Sequence, residues 1–286
     1  MVRNKLFNKK RDIFFVRGFQ RSGTNWVCNL LNLHPNINCT GEFHFGKLYE
    51  TKQSIQQRQY GLIAKKPRIF NEQFEMFVES TIKEYCGKFS YCGDRTPESI
   101  SSVIIPNKKY ILIQRDGRDC IVSWAYHLLR TNFKLNSNLH KRRDIFKTDQ
   151  LYFESNKNEL LPNNFVRQMA KKWNKRILED KKTQELVQNR NLKIFLYTIK
   201  YENLLNDTDK IRNELYKFIG AKQKLAKKLD SLTQPSFNNI NTNSHYRAGK
   251  SGRWIEYFTN RQIEIFEKEA SEAIDYLKYE RYYQYI

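Results

Sequence analysis

The stretch IFFVRGFQRSGTNW, Ile13 to Trp26, decides how the rest of this 286-residue chain is read. Its leading apolar run, Ile13-Phe14-Phe15-Val16, has the pattern of a strand buried on both faces. Gly18 and Gly23 come next, and helical spacing runs from Gly23 to Leu33 before His34-Pro35 ends it. A glycine turn between a strand and a helix aims backbone N–H groups at an anion, and the helix dipole adds to the attraction. In a loop that holds ATP, a Lys grips the terminal phosphates and a Ser or Thr hydroxyl holds magnesium. Here Thr24 and Asn25 occupy those positions, and the cation comes earlier, at Arg21. The loop Gln20–Trp26 therefore reads as a site for a 5′-phosphate neutralised by a side chain, without a metal. Two glycines alone would fit any tight turn; the strand before and the helix after give them this meaning.

A second stretch, YILIQRDGRDCIVSWAYH at residues 110–127, repeats the logic. The apolar strand Lys109–Gln114 delivers Arg115, and Ser123 follows eight residues later, two turns into the next helix. A guanidinium offers a fork of donors to phosphate, and a hydroxyl can donate from the flank. Two separated phosphate sites imply a ligand phosphorylated at two places. The competing reading is an ordinary ion pair of Arg115 with Asp116 or Asp119, worth little at a surface.

Outward from these motifs, strands read at 12–19, 37–39, 109–114 and 192–198. Helices read at 23–33, 72–85, after Pro97, and at 119–133, 165–188, 209–219 and 223–232. Thr259, with Gln262 three places on, caps a last helix. Alternating strands and helices argue an α/β fold, a central parallel sheet flanked by helices, with a crevice at the carboxyl ends of its strands. The chain reads as a single domain, 1–286, with residues 134–164 as a polar, basic excursion or lid.

The 51 Lys and Arg against 30 Asp and Glu give a formal charge of +21, which means either a well-solvated surface or an anionic partner. Five cysteines with no CxxC pair give zinc no support, and Cys86 and Cys92 are placed to pair only where the compartment is oxidising. No apolar run is long enough to span a membrane, and the basic N-terminus lacks a hydrophobic signal core. The expectation is a soluble, cytoplasmic protein; a lumenal domain trimmed of its anchor would read the same way.

The two motifs together resemble the PAPS-dependent sulfotransferases, whose donor is 3′-phosphoadenosine 5′-phosphosulfate. QRSGTNW at Gln20–Trp26 is similar to that family's 5′-phosphosulfate loop, and RDGRDCIVS at Arg115–Ser123 to its 3′-phosphate motif. Tyr201, after the strand at 192–198, stands where the family carries a tyrosine near the adenine. Arg247-Ala248-Gly249-Lys250-Ser251-Gly252-Arg253-Trp254 resembles the loop that closes on the 3′-phosphate, with Ala248 in place of the usual Lys. The resemblance covers about residues 12–260. It implies a sulfotransferase fold of P-loop NTPase-like architecture, PAPS as co-substrate, 3′,5′-ADP as product, and no metal. It implies cofactor binding by Arg21, Ser22, Gly23, Thr24, Asn25, Trp26, Arg115, Ser123, Tyr201, Arg247, Ala248 and Gly249. Trp26 serves either the adenine or the core.

Sulfuryl transfer needs alignment, stabilisation of the departing charge and a base for the acceptor proton. Arg21 is the electrostatic candidate. Two carboxylates compete for the base. Glu42, 21 residues after Arg21, resembles the base proposed in protein-tyrosine sulfotransferases. Asp94, followed by Arg95, resembles the acidic residue of heparan sulfotransferases, and before Thr96-Pro97 it is also a credible helix cap. Glu42 is preferred, with Asp94 and Arg95 close by; His44 and His245 rank below them. The basic segments at 140–147 and 167–176 either line an acceptor site or form solvated helix faces. The acceptor class stays open among an anionic glycan, a peptide and a small alcohol, and no nucleic-acid motif appears. A P-loop nucleotide kinase and a non-catalytic polyanion-binding protein are the alternatives.

Overall fold

The computed structural model describes residues 11–58, 60–133, 137–228 and 250–282, with the backbone alone at 137 and 138. Its elements run β1 (Asp12–Gly18), α1 (Thr24–Asn32), β2 (Ile37–Thr40), α2 (Gly46–Gln56), α3 (Leu62–Lys65), α4 (Pro67–Cys86), β3 (Tyr91–Arg95) and β4 (Lys109–Gln114). They continue α5 (Gly117–Arg130), α6 (Ser137–Thr148), α7 (Tyr152–Ser155), α8 (Asn163–Gln188), β5 (Phe195–Lys200), α9 (Tyr201–Asn206), α10 (Thr208–Ile219), α11 (Asn260–Glu269) and α12 (Ser271–Leu277). The five strands form one sheet in the order β2-β3-β1-β4-β5, and every pairing is parallel.

Because strand side chains alternate, the apolar run of β1 feeds two cores. Phe14 and Val16 pack with Ile111 and Ile113 of β4 under α1 and α10. Ile13 and Phe15 join Tyr110 and Leu112 beneath Val78 and Ile82 of α4. Burying each such side chain contributes about 1.5–3 kcal/mol. A third core lies among α5, α6, α8, α11 and α12, around Tyr126, Phe146, Trp173 and Phe266.

Four elements depart from the sequence reading. β3, YCGDR, has no strand pattern, yet it lies between β2 and β1. Gly93 is required there, since a Cβ would come 2.5 Å from the Phe14 ring. The helix expected after Pro97 is a single 3-10 turn at Ile100–Ser102, where Asp180 of α8 accepts the Ile100 amide at 2.8 Å. The segment read as an excursion carries α6 and α7, and it buries Leu139, Phe146, Phe153, Leu160 and Leu161. Of the helix expected at 223–232, Gln223–Leu225 is a 3-10 turn and residues 229–232 lie outside the described residues. Thr259 and Gln262 exchange the reciprocal bonds that cap α11, as their spacing predicts. Cys86 and Cys92 form a disulfide across the turn from α4 to β3, and Cys28, Cys39 and Cys120 are buried free thiols. No helix among the described residues is long and apolar enough to cross a membrane.

β1 and β3 are also tied by charge. Arg17 Nη2 donates to Asp94 Oδ2 at 2.7 Å and Nη1 to the Asp94 carbonyl at 3.1 Å, both side chains being buried. Breaking such a pair leaves an uncompensated charge in the core. Asp94→Asn is expected to lower unfolding stability by about 3 kcal/mol, as measured by denaturant titration; an unchanged midpoint would show that the pair contributes nothing.

Candidate active site

β1 and β4 are neighbours, with Gly18 opposite Ile113, so the turns that follow them share one edge of the sheet. After β1 the chain bends sharply. Arg21 takes a left-handed backbone with φ 66°, and Gly23, at φ 109°, begins α1 without a capping side chain. Holding a non-glycine residue in that region costs about 1–2 kcal/mol. At Gly23 a Cβ would stand 2.8 Å from the Tyr201 ring, so position 23 excludes any side chain. The first-turn amides of a helix have no intrahelical partner. With no cap at Gly23, those of Thr24 and Asn25 are left for a ligand. The Ser22 amide is used within the turn, bonding Phe19 O at 3.0 Å, and Ser22 Oγ is buried with no partner among the described residues.

The second motif reaches the first directly. Arg21 Nε donates to Ser123 Oγ at 3.0 Å, and Arg115 Nη1 donates to the Arg21 carbonyl at 3.3 Å. The Arg115 guanidinium lies 4.0 Å over the Tyr201 ring, and its Nη2 donates to the Lys250 carbonyl at 3.0 Å. Its Nε is buried without a hydrogen-bond partner among the described residues. The ion pair weighed in the sequence exists, at 3.7 Å, with Asp119. Asp116 is instead committed to Arg118 and to the start of α5. Burial opposes the Arg115 charge, but Tyr201, Asp119 and Glu202 around it outweigh that and hold the guanidinium above its ordinary value. Burial likewise pushes the Asp119 carboxyl up, against Arg115 and two amides. Those amides, Gly252 N at 2.8 Å and Trp254 N at 3.1 Å, show what Asp119 does: it anchors the segment after Lys250. Arg118 reinforces the anchor with its guanidinium 3.9 Å over the Trp254 ring.

The two turns border one cavity of about 270 Å³. Arg21, Gly23, Thr24, Asn25, Trp26, Arg115, Ser123 and Tyr201 line it; Ser22 does not. Trp26 is almost fully buried and packs edge-on against Tyr201, ring centroids 5.5 Å apart. The two carboxylate candidates separate. Glu42 and Arg95 line the cavity, their side chains bonded to each other through Oε1 and Nη1. Asp94 is fully buried and engaged by Arg17 and Thr96. Arg247, Ala248, Gly249 and His245 lie outside the described residues.

Gln20 and Asp119, from the two motifs, also line the cavity, and sequence reasoning missed Pro97, Val122, Trp124, His127 and Phe133. Trp124 lies 5.0 Å from His127 and 6.3 Å from Phe133, ring to ring, in one aromatic group. The helical offsets from Ser123 to Trp124 and His127 were the signal available. Neither basic segment contributes a lining residue. Arg143 is buried, donating to the Leu128 and Phe133 carbonyls at 2.8 Å, and Arg167 pairs with Glu269 at 3.3 Å. Among the described residues, no group of three or more His, Cys, Asp or Glu is placed to hold a metal ion.

A family model for the sulfotransferase domain matches residues 11–278. Mouse (Mus musculus) protein-tyrosine sulfotransferase 1 is 24% identical over 151 residues, 47% of this chain and 40% of that protein. The zebrafish (Danio rerio) protein of that name is 23% identical over 129 residues, 41% of this chain and 36% of its own. The match thus spans less than half the length of these relatives. Among solved structures, the mouse sulfotransferase SULT7A1 complexed with PAP shares the fold, with a TM-score of 0.50 at 19% identity over 92% of this chain and 84% of that one. Retinol dehydratase in complex with retinol and PAP gives 0.47 at 17% identity, covering 98% and 86%.

The geometry at Gly23 makes a separable prediction. Gly23→Ala combines backbone strain with collision against Tyr201 and is expected to cost about 2–3 kcal/mol of unfolding stability. In a Tyr201→Ala background only the strain remains, about 1–2 kcal/mol. Equal costs in both backgrounds, measured by denaturant unfolding, would show that Tyr201 does not crowd the turn.

Proposed function

The chain belongs to the sulfotransferase domain family, and on that premise we propose that it moves a sulfuryl group from PAPS to an acceptor hydroxyl or amine, releasing 3′,5′-ADP. The observation that carries this reading is the single cavity onto which the uncapped start of α1, the Arg21 side chain and the Arg115 guanidinium all open. These residues fit a bisphosphorylated nucleotide. The amides of Thr24 and Asn25, with Arg21, suit its 5′ end. The partnerless Arg115 Nε, together with the Ser123 hydroxyl, suits its 3′-phosphate. Tyr201 and Trp26 line the same cavity and are the aromatic side chains offered to the purine.

When bound, PAPS supplies an activated sulfuryl on a phosphate leaving group. The protein's own tasks are alignment and charge. Arg21 stays protonated, so it serves as a fixed positive charge rather than as a proton donor. Glu42 faces the cavity and takes the acceptor proton, while Arg95 holds its carboxylate in place. Asp94, enclosed with Arg17, maintains the sheet beneath. The acceptor docks along Gln20, Pro97, Trp124, His127 and Phe133, beside Glu42.

The test follows labelled sulfate from PAPS onto a panel comprising 2-naphthol, hexan-1-ol, an N-acetylglucosamine oligosaccharide and an acidic tyrosine peptide. Transfer to at least one is expected, and Glu42→Gln is expected to lose about 10²–10⁴ of the rate, while Asp94→Asn retains the chemistry to the extent that it folds. Calorimetry should show 3′,5′-ADP binding in EDTA, weakened about 100-fold in Arg115→Ala, in keeping with charged hydrogen bonds worth about 1.5–3 kcal/mol each. Magnesium-dependent ATP turnover without sulfate transfer would overturn the reading, as would salt-sensitive binding of any polyanion without preference for 3′,5′-ADP.

A further inference from the structure

His44 stands two residues beyond Glu42 in a left-handed backbone conformation, φ 52°. Such a conformation is disfavoured for a non-glycine residue and persists where the surroundings enforce it. The turn places the imidazole between two carboxylates. Nε2 is 3.1 Å from Oε2 of Glu42, and Nδ1 is 3.5 Å from Oε1 of Glu98. The second oxygen of Glu98 is buried with no hydrogen-bond partner among the described residues, and it lies against Gly46, the first residue of α2. Glu42 is divided in the same way, one oxygen toward Arg95 and the other toward the imidazole. Glu42, Glu98 and, through Glu42, Arg95 are the charged groups that the structure sets around His44.

We propose that His44 is a positioning residue behind Glu42 that relays the acceptor proton to solvent; the inference rests on Glu42 being the base. In the tautomer that serves this role the imidazole proton sits on Nδ1, toward Glu98, and Nε2 accepts from Glu42 Oε2 only once that oxygen has taken the acceptor proton. As the acceptor oxygen bonds to sulfur, the sulfur–oxygen bond to the phosphate breaks and its electron pair leaves on the phosphate. The acceptor proton moves to Glu42 and from there to Nε2. The resulting imidazolium lies between two carboxylates. The side chain is 59% exposed, so the proton passes to water. When Nε2 is protonated beforehand, Glu42 is held between two cationic donors and has no route for its proton. Activity is therefore expected to fall in acid. Glu98, through Oε1, is the group that steadies the imidazolium.

The experiment compares wild type, His44→Asn, Glu98→Gln and Glu42→Gln, using labelled PAPS and whichever of the four panel acceptors wild type sulfates fastest. Rates are followed from pH 5 to 8. Asn tolerates the left-handed backbone, so His44→Asn removes the imidazole without straining the turn. It is expected to lose about tenfold in kcat, a fraction of the ~10²–10⁴ attributed to a general base, with acceptor KM and 3′,5′-ADP affinity unchanged. Its rate should no longer fall in acid as the wild-type rate does, and Glu98→Gln should shift that fall. A His44→Asn enzyme with wild-type kcat, or one that loses kcat while keeping the wild-type pH profile, overturns the relay while leaving Glu42 in place. A wild-type enzyme that sulfates none of the four acceptors overturns the reading of the site itself, and the relay with it.

Discussion

The parallel pairing of β1 with β4 is the constraint on which the cavity depends. Parallel neighbours end at the same edge of a sheet, with strand axes about 4.8 Å apart. The glycine turn after Gly18 and the turn carrying Arg115 therefore emerge side by side, although nearly a hundred residues separate them. Side chains then join what the backbone has brought together. Arg21 of the first turn bonds Ser123 of the second, and Arg115 of the second bonds the backbone of the first.

The large positive charge of the chain is muted at this place. Arg17, Arg95 and Arg115 each face a carboxylate: Asp94, Glu42 and Asp119. The three pairs differ in what they leave over. Arg17 and Asp94 are enclosed and bonded to each other. Arg95 orients Glu42, whose carboxylate stays at the cavity wall. Arg115 faces Asp119 with Nη2 and keeps Nε unbonded among the described residues, while the oxygens of Asp119 accept the amides of Gly252 and Trp254. One aspartate thus holds the loop on one side and leaves the arginine on the other side to a ligand.

The parts legible in the sequence were those whose signal is local. Ile13–Val16 and Lys109–Gln114 announce buried strands by unbroken apolar runs, and Thr259 with Gln262 announces a cap. Gly23 could be read as a turn, but its contact with Tyr201, 178 residues away, could not. β3 was illegible because YCGDR is a strand by pairing alone, with its Gly chosen by the Phe14 ring and its Asp by Arg17. That same contact separates Asp94 from Glu42, two carboxylates equal in sequence pattern and different in burial. Trp124 and His127 were hidden for the opposite reason: on an amphipathic helix, an aromatic residue facing a cavity has the spacing of one facing the core.

A crystal structure of the chain with 3′,5′-ADP decides whether one nucleotide spans both cradles. The 5′-phosphate is expected on the amides of Thr24 and Asn25, and the 3′-phosphate within hydrogen-bond reach of Arg115 Nε and Ser123 Oγ. Density for the nucleotide elsewhere, or with both phosphates at one cradle and Arg115 still stacked on Tyr201 with no phosphate beside it, would show that the two cradles do not share a ligand.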